Sequence, residues 1–239
     1  MPYDISHAPL RALTLDLDDT LWPVAPVIER AEQRLHEWLL AHAPLTAARF
    51  SIEAMRRWRA EVGRSEPGLA HDLTAQRRLS IERALAHCGE DPALTDEAFE
   101  FFMVERHRVE LYEDVLPALE RLARRYPLLA LSNGNADVAR LDVGKCFVGR
   151  VAAREVGAAK PDARIFQAAC QALALAPGQV LHVGDDWHLD VLGARAAGLH
   201  SAWVHRDAVR PADDTGLAVG SGLHLEVRDL AALADALGA

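Results

Sequence analysis

Three short apolar segments of this 239-residue chain each end at a polar side chain. In order, they are ALTL before Asp16, LLAL before Ser132 and VLHVG before Asp185. Short apolar runs bounded by turn signals predict buried strands, and their nearly continuous apolar character favours parallel ones. Because ligands of open parallel sheets bind beyond the carboxyl ends of the strands, we expect these three side chains to gather at that end of one sheet.

Further strand and helix patterns alternate along the chain. Residues 201–204 predict a fourth strand, and residues 150–153 and 223–227 are weaker strand candidates. Helical patterns lie between the strands, at residues 115–125, 162–175 and 189–197. Strands that alternate with helices predict an α/β fold, with a Rossmann-like parallel sheet and helices on both of its faces.

Residues 23–110 differ from the rest because they contain no convincing strand pattern. Helical periodicity covers four stretches there, at residues 26–41, 47–62, 69–88 and 96–110. Such an insertion is too long for an ordinary connection between a strand and a helix. We therefore predict two domains: a core formed by residues 1–22 and 111–239, and an inserted all-helical domain at residues 23–110.

Charge and composition disfavour several classes of function. Lys and Arg number 26 and Asp and Glu number 35, so the net charge is −9 and no nucleic-acid partner is expected. No window approaches 18 consecutive apolar residues and no secretory leader is visible, which predicts no membrane partner and a cytoplasmic location. The three cysteines, Cys88, Cys146 and Cys170, are far apart and suggest neither a disulfide framework nor a zinc site.

Acidic residues follow two of the predicted strands. Asp16 and Asp18 point to the same side of an extended chain, so their carboxylates repel each other unless a cation or a shared proton intervenes. A hard divalent cation such as Mg²⁺ prefers oxygen ligands of this kind. The simpler interpretation is a turn capped by Asp and Thr. Asp185, Asp186 and Asp190 at another strand end favour the metal site.

Residues suited to hold a phosphate occur further along the chain. Ser132 and the backbone N–H groups near Asn133 can donate to phosphate oxygens, and Lys160 supplies a positive charge for the same anion. Taken singly, Ser132 and Asn133 are typical of a turn, and Lys160 of a solvated surface. Their order along one α/β chain favours a common site over these separate roles.

The same segments resemble the four motifs of the haloacid dehalogenase (HAD) superfamily, a large family of Mg²⁺-dependent aspartyl-phosphate phosphatases. The matching residues are Asp16, Asp18 and Thr20 in the first motif, Ser132 in the second, Lys160 before Pro161 in the third, and Asp185, Asp186 and Asp190 in the fourth. The helical insertion between the first two motifs is similar to the C1 cap of HAD subfamily IA. The resemblance therefore implies a Rossmann-like HAD core with an inserted helical cap.

For Asp16 and Asp18 the resemblance implies the two central roles of a phosphatase. Asp16 would be the nucleophile, and Asp18 the general acid for the leaving alkoxide and then the base that activates water. A carboxylate with an ordinary pKa of about 3.9 is already ionised at neutral pH, so the nucleophile needs no activating base. Mg²⁺ and Lys160 would relieve its repulsion from the phosphate.

The remaining implied roles concern the phosphate and the metal. The implied phosphate-binding residues are Thr20, Ser132, Asn133 and Lys160. The implied Mg²⁺ ligands are Asp16, Asp18 through its backbone carbonyl, and Asp185, supported by Asp186 or Asp190.

A closer resemblance concerns the substrate. Residues 21–28, 65–74, 132–135 and 182–186 are similar to bacterial HAD phosphatases of riboflavin synthesis, which act on flavin mononucleotide and 5-amino-6-(5-phospho-D-ribitylamino)uracil. The implied partner is thus a small phosphorylated metabolite, and a monomer or weak dimer is expected. In the cap, the candidates for contact with substrate are His71, Asp72 and Arg77, with packing inside the cap as the alternative role.

Other functions remain as alternatives. A phosphatase of this type could act on a sugar phosphate, phosphoglycolate or a nucleotide. A metal-free 2-haloacid dehalogenase uses the first Asp but lacks the second, so Asp18 and the pair Asp185 and Asp186 disfavour it. A phospho-accepting receiver module is about half this length and has no inserted domain, so residues 23–110 disfavour it.

Overall fold

The computed structural model describes residues 10–206 and 222–239 of the chain. The parts of the predicted core domain before residue 10 and at residues 207–221 lie outside the described residues. By its internal contacts the chain divides into two compact units, residues 1–22 with 111–239 and residues 23–110. The first is named the core unit and the second the helical unit.

The helical unit, all of whose residues are described, contains helices and no strand. Its helices are α1 (Val24–His42), α2 (Pro44–Arg49), α3 (Ile52–Ser65), α4 (Leu73–His87) and α5 (Thr95–Arg106). The stretch predicted as one helix at residues 47–62 is two, because the backbone is extended at Phe50 and Ser51 caps α3 by accepting the Ala54 N–H. Apolar side chains of α1, α4 and α5, such as Leu39, form a shared buried cluster.

A six-stranded parallel sheet forms the centre of the core unit in the described residues. Its strands are β1 (Ala12–Leu15), β2 (Leu128–Ser132), β3 (Gly149–Ala152), β4 (Val180–Gly184), β5 (His200–Val204) and β6 (His224–Val227). Their spatial order is β3-β2-β1-β4-β5-β6, and every neighbouring pair is parallel. The prediction of a parallel α/β fold is therefore confirmed.

The strand order creates a ligand-binding position beside β1. Leu15 of β1 lies next to Ala130 of β2 on one side and Val183 of β4 on the other. The chain first proceeds from β1 towards β3, and later proceeds in the opposite direction from β4 to β6. Sheets whose order reverses in this way bind ligands at the reversal, outside the carboxyl ends of the strands. The residues that follow β1 and β4 lie at this position.

The helices of the core unit enclose the sheet. They are α6 (Val115–Ala123), α7 (Ala153–Val156), α8 (Ala163–Leu173), α9 (Gly193–Ala196) and α10 (Leu230–Ala236). Every residue of β1, β2 and β4 is buried, as expected of strands covered on both faces. Ile165 and Phe166 of α8 join Leu129 and Val151 of the sheet in one buried cluster.

One helix differs in type from the prediction. The helix expected at residues 189–197 begins as a π-helix, Trp187–Leu192, and continues as α9. Each helix in the described part of the chain is too short or too polar to span a bilayer.

Candidate active site

A tight loop follows β1 and carries three of the predicted site residues. The Leu21 N–H donates to the Leu17 carbonyl over 2.8 Å. The Asp19 N–H donates to the Trp22 carbonyl, also over 2.8 Å. Asp19 has a φ of 59°, a left-handed conformation that Asp tolerates better than most residues. The loop therefore turns the chain back immediately beyond Asp16.

The carboxylate of Asp18 is oriented by an indole in the same loop. Trp22 is fully buried and donates its Nε1–H to Asp18 Oδ1 over 2.9 Å. Asp18 is itself half-buried. A half-buried carboxyl group with a fixed donor is suited to exchange a proton with a bound molecule, which is the role predicted for it.

A buried ammonium lies between two carboxylates at the centre of the site. Lys160 Nζ is 2.6 Å from Asp16 Oδ1 and 2.6 Å from Asp190 Oδ1, and all three residues are buried. Burial alone would lower the pKa of Lys160, but the two carboxylates raise that pKa above its ordinary value. Lys160 is therefore a fixed positive charge in contact with Asp16.

The two carboxylates differ in pKa because their surroundings differ. Burial raises the pKa of Asp16 well above its ordinary value against the effect of Lys160, and the charge of Asp190 adds to the rise. Burial acts on Asp190 in the same direction, but Lys160 and His182 outweigh it and hold the pKa of Asp190 well below its usual range. Asp190 is thus the counter-ion of Lys160, while an additional cation would favour the ionised form of Asp16.

The π-helix brings Asp190 back towards β4. Asp190 Oδ2 accepts the backbone N–H of Asp186 over 3.0 Å. A Cβ on Gly184 would lie 2.2 Å from Asp190 Cγ, so only glycine fits at that position. The carboxylate of Asp186 caps the helix by accepting the N–H groups of His188 and Leu189. Asp186 and Asp190 were the two residues predicted to support the metal site. Asp190 contacts Lys160, whereas Asp186 caps the π-helix.

Thr20 connects the loop after β1 to the end of β4. Thr20 is fully buried, and its Oγ1 donates to Asp185 Oδ1 over 2.8 Å. Burial, together with the charges of Asp190 and Asp19, raises the pKa of Asp185 to about 7. The Thr20 hydroxyl therefore has a carboxylate partner here, and its contact with a phosphate stays a prediction.

Three carboxylates are close enough to share a cation. One oxygen from each of Asp16, Asp185 and Asp190 lies within 4.8 Å of the others. An all-oxygen, negatively charged donor set fits Mg²⁺. Both oxygens of Asp190 already have donors, Lys160 and His182 at Oδ1 and the Asp186 N–H at Oδ2, so Asp16 and Asp185 are the carboxylates that would hold the ion. The predicted contribution of the Asp18 backbone carbonyl stays a prediction.

Ser132 and Asn133 lie at the end of β2 and face different partners. Ser132 is buried, and its Oγ accepts the Gly134 N–H over 3.0 Å. The Asn133 side chain donates its Nδ2–H to the Lys160 carbonyl and accepts the Lys160 N–H at Oδ1, over 3.0 and 2.7 Å. Asn133 thus holds the backbone of Lys160, a contact that was not predicted.

The candidate specificity residues belong to the helical unit. His71 is half-buried, and Asp72 caps α4 by accepting the Ala75 N–H over 2.9 Å. Arg77 is buried, with its guanidinium 3.7 Å from the centre of the Phe102 ring and 3.6 Å from Glu32. This position favours a structural role for Arg77 over the predicted contact with substrate.

Several supporting side chains were not found from the sequence. His182, buried inside β4, lies 2.9 Å from Asp190 through Nε2, and burial lowers its pKa. Arg206, just after β5, donates to the Thr20 carbonyl over 3.0 Å. A polar residue inside an apolar strand was the available signal for His182. Nothing in the local sequence indicates that Arg206 reaches the loop after β1.

Comparisons with known proteins agree with this geometry. The model of the haloacid dehalogenase-like hydrolase family matches residues 10–198. The chain is 33% identical over 231 residues to the 5-amino-6-(5-phospho-D-ribitylamino)uracil phosphatase YigB of Escherichia coli, and the match covers 94% of each protein. It is 32% identical over 230 residues to a phosphoserine phosphatase of Thermus thermophilus, covering 85% of this chain and 92% of that protein.

The fold is also similar to solved structures over nearly the whole chain. The crystal structure of a 2-haloacid dehalogenase from Pseudomonas syringae pv. Tomato DC3000 has a TM-score of 0.86 and 33% sequence identity. That match covers 96% of this chain and 98% of the other. Because the family model matches residues 10–198, which is most of this chain, the chain belongs to the haloacid dehalogenase-like hydrolases.

Proposed function

We propose that the protein is a Mg²⁺-dependent phosphomonoesterase that hydrolyses a small phosphorylated metabolite. The observation that carries the proposal is the Lys160 ammonium, 2.6 Å from Asp16 and adjacent to a carboxylate cluster that includes Asp185. A fixed positive charge beside a site for a divalent cation suits a dianionic phosphate. Two relatives that match most of the chain carry phosphatase names, which supports the proposal.

In the proposed reaction the Asp16 carboxylate attacks phosphorus while the bond to the leaving alkoxide breaks. Asp18 gives a proton to that alkoxide, and later takes a proton from the water that hydrolyses the aspartyl phosphate. Lys160 remains beside Asp16 and stabilises the charge on the transferring phosphoryl oxygens. Mg²⁺, when bound at the carboxylate cluster, supplies further charge neutralisation at the same oxygens.

The other proposed phosphate contacts come from Thr20, Ser132 and the backbone at Asn133. Thr20 and Ser132 are buried, so water competes little for their hydroxyl groups. Hydrogen bonds to a charged oxygen are stronger in such surroundings than in bulk water. Ser132 and the backbone at Asn133 would bind the phosphoryl group that all substrates share, and Thr20 would join them by turning its hydroxyl from Asp185 to the phosphate.

The substrate is proposed from the similarity to the Escherichia coli relative. We propose 5-amino-6-(5-phospho-D-ribitylamino)uracil or flavin mononucleotide, with His71 and Asp72 among the residues that select it. The similarity to a phosphoserine phosphatase keeps other small phosphate esters as the alternative. A panel of phosphorylated metabolites compared by kcat/KM decides among them.

A second candidate activity is removal of halide from a 2-haloacid. The similarity to the Pseudomonas syringae structure favours it. The acidic residues at the strand ends disfavour it, because Asp18 and Asp185 add negative charge beside Asp16 that an anionic haloacid substrate would have to overcome. Halide departs as a stable anion and needs no proton from Asp18.

The test is hydrolysis of p-nitrophenyl phosphate with Mg²⁺, compared with chloride release from 2-chloropropionate in EDTA. We expect sustained phosphate release that EDTA stops and Mg²⁺ restores. Chloride release in EDTA without phosphate release would overturn it in favour of the dehalogenase. A single burst of phosphate transfer without turnover would indicate a phospho-accepting protein instead.

A further inference from the structure

A buried imidazole lies directly behind the ion pair of the site. His182 of β4 pairs in register with Thr14 of β1, so the two side chains meet across neighbouring strands. Both residues are buried completely or nearly so, with 0% of Thr14 and 1% of His182 exposed. Placing two polar side chains inside a sheet is costly unless each finds a hydrogen-bond partner.

The partners of the ring define its protonation. Thr14 Oγ1 is 2.8 Å from His182 Nδ1, and Asp190 Oδ1 is 2.9 Å from His182 Nε2. The carboxylate of Asp190, which is paired with Lys160, only accepts hydrogen bonds, so Nε2 carries the proton that is donated to it. In the neutral ring Nδ1 is then an acceptor, and the Thr14 hydroxyl donates to it.

The orientation of the ring is also fixed by packing. Phe166 of α8 contacts His182 edge-on, with ring centres 5.2 Å apart and an angle of 80° between the planes. The ring can therefore neither tilt nor exchange its two nitrogens without losing a hydrogen bond or this contact. The result is a rigid donor aimed at one oxygen of Asp190.

That oxygen is the same one that contacts Lys160. Asp190 Oδ1 accepts from both Lys160 Nζ and His182 Nε2, while Oδ2 accepts the Asp186 N–H. Without the imidazole the carboxylate would lose one of two donors on Oδ1 and could rotate towards Asp186. Lys160 would then move relative to Asp16.

We propose that His182, held by Thr14, is a positioning residue that fixes Asp190 and through it the Lys160 ammonium beside Asp16. Its expected effect on catalysis rests on the proposed phosphatase function. Lys160 stabilises charge that develops as the phosphoryl group transfers, so a displaced ammonium affects kcat more than KM. A displacement of about 1 Å in such a group can cost about a hundredfold in rate.

The test compares three variants of this network. His182→Phe keeps the ring volume but removes both polar contacts, His182→Gln retains an amide donor, and Thr14→Val removes only the hydroxyl. With p-nitrophenyl phosphate we expect His182→Phe to lower kcat at least about tenfold with KM changed less than about threefold, and His182→Gln to restore most of the loss. Thr14→Val is expected to lower kcat about threefold, since it acts through two further residues.

A matched control exists in the same sheet. Ser201 of β5, which is buried, and His224 of β6, which is half-buried, form another hydroxyl–imidazole pair, with Oγ and Nδ1 2.8 Å apart. His224→Phe and Ser201→Ala remove a contact of the same kind from the same sheet, between β5 and β6, where neither residue bonds Lys160 or Asp190. If these variants lower kcat as much as the His182 and Thr14 variants do, the effect is general destabilisation and the proposal is wrong.

A spectroscopic measurement is independent of activity. In ¹⁵N spectra of the wild-type imidazole rings at neutral pH, we expect His182 to carry its proton on Nε2 and to have an unprotonated Nδ1. The Nδ1 resonance should shift in Thr14→Val, which removes the hydroxyl that donates to it. A proton on Nδ1 would overturn the proposal. If the wild-type protein does not hydrolyse phosphate esters at all, the proposed function fails. The ring tautomer and the Thr14→Val shift then decide the positioning role.

Discussion

The side-chain amide of Asn133 makes two hydrogen bonds with the backbone of Lys160, one in each direction. The contact joins the end of β2 to a segment 27 residues later in the chain. It fixes where the Lys160 side chain starts, while Asp16 and Asp190 fix where its ammonium ends. Lys160 is thus held at both ends, which leaves little freedom for the charge that contacts Asp16.

Replacing Asn133 tests this attachment. Asn133→Asp keeps the acceptor for the Lys160 N–H but places a carboxylate against the Lys160 carbonyl, and Asn133→Ala removes both bonds. We expect both variants to lower kcat for p-nitrophenyl phosphate, and Asn133→Ala to lower stability by about 1–3 kcal/mol because a buried N–H and C=O lose partners. Steady-state kinetics and urea unfolding measure the two effects. Wild-type kinetics in both variants would contradict a role for this contact.

The nucleophile is tested by Asp16→Asn. The amide has nearly the same shape but cannot attack phosphorus, so turnover should fall by several powers of ten, on the order of 4 kcal/mol or more in the barrier. Circular dichroism checks that the fold is retained. Asp142→Asn, an exposed substitution of the same kind in the core unit, should keep the wild-type rate. More than about a tenth of the wild-type rate in Asp16→Asn would refute the assignment.

Metal dependence should vary with pH because of Asp185. Its pKa rises from an ordinary 3.8 to about 7, chiefly through burial. Between these values the folded chain binds a proton that the unfolded chain has lost, so stability of the metal-free protein falls as pH rises through this window, by up to about 1.4 kcal/mol per pH unit. Mg²⁺ replaces that proton, so it should raise the melting temperature more at pH 8 than at pH 5. Thermal melts in EDTA and in Mg²⁺ measure this, and an equal shift at both pH values would contradict it.

The loop after β1 is tied to the rest of the core unit by Arg206. Arg206 bonds the Thr20 carbonyl, makes two bonds to Asp114 over 2.8 and 3.2 Å, and lies 3.7 Å from the Tyr112 ring centre. Asp114 also accepts the Leu230 N–H over 2.8 Å. Asp114→Asn should lower the free energy of unfolding by about 1–3 kcal/mol, since a charged acceptor of several donors is lost.

Arg206 also opposes the effect of burial and lowers the pKa of Asp114. The Asp114 carboxylate therefore stabilises the fold at neutral pH. That contribution is lost as the pH falls through the folded-state pKa of Asp114. The difference in the free energy of unfolding between wild type and Asp114→Asn, measured in urea, should become smaller at acidic pH. A constant difference across pH would show that the charge is unimportant.

The helical unit offers a test of specificity with an internal control. His71→Ala is expected to lower kcat/KM for flavin mononucleotide at least about tenfold and to affect p-nitrophenyl phosphate much less, because the smaller substrate offers few polar groups. Arg77→Ala should instead lower stability by about 1–3 kcal/mol through loss of its contacts with Glu32 and Phe102. If His71→Ala lowers kcat/KM equally for both substrates, His71 supports the fold and does not select the substrate.

The sequence by itself determined the sheet and the residues at its carboxyl end. The apolar runs before Asp16, Ser132 and Asp185 became β1, β2 and β4, because strands buried on both faces need continuous apolar sequence and polar groups are tolerated only where the strand ends. Even the weaker strand at residues 223–227 was predicted correctly to within a residue.

Only the tertiary structure decided which of these groups touch. Lys160 bonds Asp190, which lies 30 residues away in sequence, and its backbone bonds Asn133, 27 residues away. Arg206 bonds Thr20, which lies 186 residues away. Asp190 reaches Lys160 because a π-helix and Gly184 bring it close to β4. Periodicity and local spacing report which side of an element a residue lies on. Contacts between distant elements depend on how those elements pack. A polar residue inside an apolar strand marked His182 as unusual, but no local pattern could show that it contacts Asp190 or that Arg206 contacts Thr20.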